Sequence, residues 1–167
     1  MSTLDSLPRA MIRSGCVVRV GLEIGLIDAA AAIAWADHWI DALPTPPVEL
    51  AEVSMPGRIV LHELASNIEA VIGRVSPGDE FAIATALFAR AIADGRCTVE
   101  AAIRYLTGAM HDPDAGVAPG ARNELWHLDY NAENEHPLDA SGLAVAFCEF
   151  AAPYTAAWGD ALTLTGL

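Results

Sequence analysis

The sequence predicts an all-α fold, about six to seven helices arranged as stacked antiparallel αα-hairpins in a single helical domain spanning 1–167. Three observations carry this. Hydrophobic residues make up 53% of the chain, but Ala supplies much of that fraction, and aromatic and β-branched runs are sparse. Apolar residues recur at helical spacing over most of the length. The periodic segments are bracketed by Gly and Pro stops and by Ser, Thr or Asp starts. A chain of 167 residues also has enough material to bury a sizeable core.

The first helix is expected from about Pro8 to Ile24, with Met11, Ile12, Cys16, Val20 and Ile24 near one face and Gly25 as the stop. Gly15 and Gly21 weaken it, because glycine is a poor helix residue. Asp28 reads as the cap of a second helix reaching Leu43. Ile33, Ala36, Ile40 and Leu43 form its inner face, flanked by Ala32, Trp35 and Trp39, and Ala30, Ala34, Asp37 and Asp41 look to water. Pro44 to Pro47 break that helix, and Val48 to Val53 can form a short third one behind Pro47. Pro56 and Gly57 mark the next joint. From Arg58 to Val75 the stripe Leu61, Leu64, Ile68, Val71, Ile72 and Val75 is the clearest amphipathic pattern in the chain.

Ser76-Pro77-Gly78-Asp79 is a helix start: Ser76 caps, Pro77 suits the first position, and Asp79 and Glu80 favour the positive end of the dipole. The helix that follows, to Asp94, is apolar around most of its circumference, which predicts neighbours on several sides. Gly95 ends it and Thr98 caps the next, whose inner face is Val99, Ala102, Ile103, Leu106 and Met110. Gly25-Leu26-Ile27-Asp28 with Ala31-Ala32-Ile33 and Trp35 is echoed by Gly95-Arg96-Cys97-Thr98 with Ala101-Ala102-Ile103 and Tyr105, at a period of 70. Divergent duplication and the shared chemistry of two hairpin corners both account for that echo.

From His111 to Ala140 the periodicity fades among Pro113, Gly116, Pro119, Gly120 and Pro137. One long irregular acidic loop (111–140) is expected, with at most a turn of helix around Glu124 to Leu128. A final helix from Ser141 to about Trp158 follows, with Pro153 expected to kink or end it.

Cys16, Cys97 and Cys148 are odd in number, far apart and set among apolar neighbours, which suits core positions better than a disulfide frame or a zinc site. No uninterrupted apolar run approaches the roughly 18–20 residues that cross a bilayer, and residues 1–13 show no secretory signal pattern. A soluble, cytoplasmic protein is the expectation. The net charge of −13 sets 22 acids against nine Arg and no Lys, so nucleic acid is a poor partner.

Charge is uneven. Residues 1–27 sum to +1, residues 28–56 to −5 and residues 111–140 to −6. The last segment also holds Trp126 and Tyr130. Large rings bring contact area and carboxylates steer a cationic partner, so Asp112, Asp114, Trp126, Asp129, Tyr130, Glu133 and Glu135 are the candidate partner-binding residues. The same stretch offers an alternative metal-ligand set, His111, Asp112, His127, Asp129 and His136, without the i, i+4 histidine spacing of a metallohydrolase. No nucleophile elbow, phosphate loop or dinucleotide fingerprint occurs, so no catalytic residue and no cofactor is assigned.

Gly25-Leu26-Ile27-Asp28, Trp35-Ala36-Asp37, Ile40, Pro46-Pro47-Val48-Glu49-Leu50 and Val53-Ser54 together resemble small helical bacterial proteins of the toxin-immunity type. The resemblance covers only residues 25–54 and carries over no catalytic residue. It implies a protein that neutralises a toxin by binding it. The expected function is therefore a non-enzymatic interaction protein, an immunity protein or inhibitor whose acidic loop covers a basic partner such as a nuclease toxin. The rival is a small metal-binding protein or metal-dependent hydrolase. A third reading turns the Trp35 and Trp39 face outward, against another subunit.

Overall fold

The computed structural model describes residues 7–55, 60–134 and 140–165, and the described residues are helical with turns between. Eight helices follow in order: α1 (Arg9–Glu23), α2 (Ala29–Ala42), α3 (Val48–Ser54), α4 (Leu61–Ile72), α5 (Pro77–Ala93), α6 (Val99–Met110), α7 (Pro119–Glu133) and α8 (Ala140–Leu164). None of them is long and apolar enough to cross a membrane. The chain forms two compact units, one of Met1–Val75 with Asp160–Leu167, the other of Ser76–Gly159.

In the first unit α1 packs on α2 and α4, and α3 packs on α2 and α4. The two glycines that weaken α1 in the sequence are its contact surface. A Cβ at Gly15 would lie 2.6 Å from Ile72 Cγ2 and 2.8 Å from Trp35 Cζ2, and one at Gly21 would lie 2.4 Å from Ile27. Only a bare backbone admits those side chains, and burying them offsets the weaker helix propensity. Trp35 is buried against α1, where its Nε1–H donates to Ser14 Oγ at 2.9 Å and that hydroxyl donates to Met11 O at 3.1 Å. The indole N–H and the hydroxyl buried in this contact are thereby both satisfied. Arg19, with its side chain 12% exposed, reaches Glu23 at 3.1 Å and Glu69 of α4 at 3.2 Å, and Ser54 of α3 donates to Asp37 of α2. Trp39 is buried too, so the reading that turned the tryptophan face toward another subunit is corrected: the rings fill this unit's own core.

In the second unit α5 packs on α6, and α6 on α7. As its all-round apolarity predicts, α5 is deeply covered, with Phe81, Ile83, Ala84, Thr85, Ala86, Leu87, Phe88 and Ala91 buried. Ser76 caps it by accepting from Asp79 N at 3.1 Å. Phe81 meets Tyr154 of α8 edge to face at 5.9 Å, and Phe88 meets Tyr105 of α6 at 5.2 Å.

The two corners that echo in sequence are the same in structure. Gly25 and Gly95 take positive φ (72° and 69°). Leu26 N and Ile27 N both donate to Gly21 O, as Arg96 N and Cys97 N donate to Ala91 O. The Asp28 and Thr98 side chains then accept from Ala31 N and Ala101 N. Each corner is a left-handed glycine stop followed by a capped start.

Three expectations are corrected. Within the segment expected to be irregular, 111–140, the described residues form a short loop, 111–118, and the fifteen-residue α7. Its helical pattern is faint in sequence because only Leu125 and Leu128 are buried on it and no side chain caps its start; Pro119 at the first position supplies the fixed φ. Pro153 does not end α8, which runs on to Leu164; a proline removes one ladder bond, and the downstream Trp158, Ala161 and Leu162 are buried. Cys148 is exposed rather than in a core, while Cys16 and Cys97 are half-buried, and all three are free thiols.

Candidate functional site

The candidate residues that the structure brings together lie on the outer side of α7. Leu125 and Leu128, three positions apart, are buried on its inner side. That fixes the helix's rotation and sends Trp126 and Tyr130, four apart, outward. They are 53% and 54% exposed, and their rings stack at 5.8 Å and 21°. His127 meets the Trp126 ring edge at 5.2 Å. Glu133, one turn beyond Tyr130, is exposed and Asp129 is half-buried. Two large rings held in a stack with one side open to solvent have already lost part of their rotamer freedom, which lowers the cost of using them as anchors.

Asp112 and Asp114 sit on the preceding loop, both exposed, where Asp114 N donates to Asp112 Oδ1 at 2.9 Å. Arg122 ties that loop to α7. Its Nε donates to Val117 O at 3.1 Å, one terminal nitrogen donates to Met110 O, and the other donates to Asp112 O at 3.3 Å. Gly116, at φ 64°, lies so close to the start of α5 that a Cβ on it would be 2.7 Å from Gly78 N. The loop is thus pinned at one end by a guanidinium and at the other by a backbone-to-backbone approach that only glycine permits.

This role of Arg122 has an electrostatic consequence. It is the one cation of segment 111–140, and its guanidinium is committed to main-chain carbonyls. Among the described residues, Asp112, Asp114, Glu124, Asp129 and Glu133 form no ion pair, so their charge faces solvent uncompensated. The Glu124 carboxylate is felt by Tyr154 of α8, whose hydroxyl is pushed above its ordinary value, chiefly by burial and secondarily by that charge. Sequence reading passed over Arg122 and the Glu124–Tyr154 pair. A lone arginine behind a Pro-Gly step at the foot of a weak helix was the available signal.

Glu135 and His136 lie outside the described residues. His111 and His127 are exposed, and among the described residues no three His, Cys, Asp or Glu side chains converge as a metal site would require. Burial raises the Cys97 thiol pKa, against a smaller lowering by a backbone hydrogen bond from Thr98, and the raised value makes it a poor nucleophile. Comparison with protein-family models, with curated proteins and with solved structures finds no match to this chain.

Proposed function

We propose that the chain is a non-enzymatic interaction protein that uses the outer face of α7 and the adjoining loop to cover a basic surface on a protein partner, in the manner of an immunity protein or inhibitor of a nuclease toxin. The observation that supports this most is the exposed Trp126–Tyr130 stack set among acids that form no ion pair among the described residues. Stacked rings supply desolvated area at the centre of a contact, and surrounding carboxylates speed the approach of a cationic partner and select it over others. A nuclease that grips phosphates must itself present a basic surface, which makes it a fitting partner for an acidic, aromatic-bearing face.

The test uses the full chain as bait in extracts of its own host, compared with Trp126→Ala/Tyr130→Ala and with charge reversal at Asp129, Glu133 and Glu135. Retention of a basic protein by the wild type, weakened by added salt and lost in both variants, supports the reading. Recovery of no basic protein, or equal recovery by all three, refutes it. Both rings are more than half exposed, so their removal should change stability by no more than about 0.5–1 kcal/mol.

A further inference from the structure

The two units correspond beyond their matching corners. Shifted by 70, six of the eight buried residues of α1 (Met11, Ser14, Gly15, Val17, Val18, Gly21) fall on buried residues of α5 (Phe81, Ala84, Thr85, Leu87, Phe88, Ala91). Ala32 and Ala36 of α2 fall likewise on Ala102 and Leu106 of α6. With a longer connection in the second unit, the shift becomes 75. Glu49-Leu50 and Val53 of α3 then meet Glu124-Leu125 and Leu128 of α7, with Leu50, Val53, Leu125 and Leu128 all buried. At a shift of 79, Leu64, Ile68, Val71 and Ile72 of α4 meet Leu143, Phe147, Phe150 and Ala151 of α8. The neighbours agree in part: α1–α2, α2–α3 and α4–α1 in one unit, α5–α6, α6–α7 and the Phe81–Tyr154 ring contact between α5 and α8 in the other. Shared hairpin chemistry explains a corner but not four helices in the same order whose inner residues overlap this far, although the buried Trp35 falls on the exposed Tyr105.

Under this correspondence α3 is the counterpart of α7, and Met55 that of Tyr130. We infer that unit 1 carries a second interaction surface, on the outer side of α3, for a basic protein segment that presents an apolar side chain. The inference rests on the reading of α7 given above. Met55 and Val48 are 76% and 74% exposed, more open than the rings of α7. The position of Trp126 is held by the small Ala51, and at the start of α3 the unit has a hollow of about 470 Å³ beside Val48, walled by Pro46, Pro47, Ala70 and Val71 with Glu49 among its lining. That volume is in the range that takes a small molecule or a partner's side chain. Where unit 2 offers a knob, unit 1 offers a socket. The charge matches a cationic occupant: residues 28–56 contain five acids and no Arg or Lys. Among the described residues Asp41, Glu49 and Glu52 are in no ion pair. A second copy of this chain, with a net charge of −13, is repelled from the same surface.

The test titrates the full chain at low salt with a short labelled peptide carrying Leu on one side of a helix and Arg on the other, and reads stoichiometry by calorimetry. Three variants are compared: Glu49→Arg/Met55→Gln, Trp126→Ala/Tyr130→Ala, and the two combined, each checked for an unchanged helical circular dichroism spectrum. Val48→Arg, at the rim of the hollow, is the substitute if the α3 pair unfolds. The expected result is two peptides per wild-type chain, one per chain in either pair variant and none in the combination. A peptide with Ser for Leu should bind at least about tenfold more weakly, a loss of about 1.4 kcal/mol. One peptide per chain, lost only in Trp126→Ala/Tyr130→Ala, overturns the second surface and leaves the α7 reading intact. One peptide lost only in the α3 variants supports the second surface and overturns the α7 reading. Equal binding of the Ser peptide, absence of binding, or concentration-dependent self-association abolished by the α3 variants overturns the inference.

Discussion

Replacing Arg122 by Met should loosen the loop and the start of α7 while leaving unit 1 untouched. Met keeps an apolar stem along the helix but removes three donors, those to Val117 O, Met110 O and Asp112 O. A hydrogen bond from a charged donor is worth about 1.5–3 kcal/mol when shielded. The bonds to Val117 and Met110 are part-buried, so the lower end suits each, whereas the Asp112 bond is exposed and water replaces it at little cost. The expected loss is therefore about 3 kcal/mol, felt as local opening because the bonds hold one segment. At about 1.4 kcal/mol per tenfold, amides between 111 and 125 should exchange with deuterium roughly a hundredfold faster. Arg122→Lys keeps the charge and at most one of the bonds, and should fall between the two. If Arg122→Met exchanged at the wild-type rate throughout 111–125, the staple described here would be wrong, whatever its effect on overall stability.

Gly15→Ala should destabilise the chain by about 1–2 kcal/mol in urea, because crowding Ile72 and Trp35 outweighs the gain in helix propensity. Stabilisation would mean that the contact is looser than 2.6 Å implies. Ser14→Ala strands the buried Trp35 indole N–H and should cost about 1–3 kcal/mol, read from the same denaturation curves. The raised Tyr154 pKa gives a pH dependence of definite sign. The unfolded chain ionises this phenol first, so its contribution to stability is intact below the ordinary value of 10.0 and falls away as pH rises beyond it. Tyr154→Phe should remove that alkaline loss, and an unchanged alkaline slope would contradict it.

What was legible in the sequence was whatever local chemistry dictates. Asp28, Ser76 and Thr98 cap the helices assigned to them, and Gly25 and Gly95 stop theirs, because a cap or a left-handed stop is decided within a few residues. The wet side of α2 was readable for the same reason, since Ala30, Ala34, Asp37 and Asp41 are exposed, but its inner face is centred on Ala32, Trp35, Ala36 and Trp39, with the expected Ile33 and Ile40 only half-buried. What escaped depends on distant partners. Gly15 looks like a flaw in a helix until Trp35 and Ile72 arrive to fill the space it leaves. α7 presents only two residues to its unit's interior, too few for a periodic signal, and its geometry is set by an arginine reaching back as far as Met110. The exposure of Trp126 and Tyr130 and their stacked arrangement both follow from that helix, which composition alone does not show.

The most direct measurement is hydrogen–deuterium exchange on the full chain with and without the basic host protein that the proposed function requires. Occupation of the α7 face slows exchange across 111–134 and quenches the accessibility of Trp126. If the complex forms while 111–134 exchanges at the free rate and Trp126 stays open to solvent, the partner binds elsewhere and the function assigned to that face is wrong.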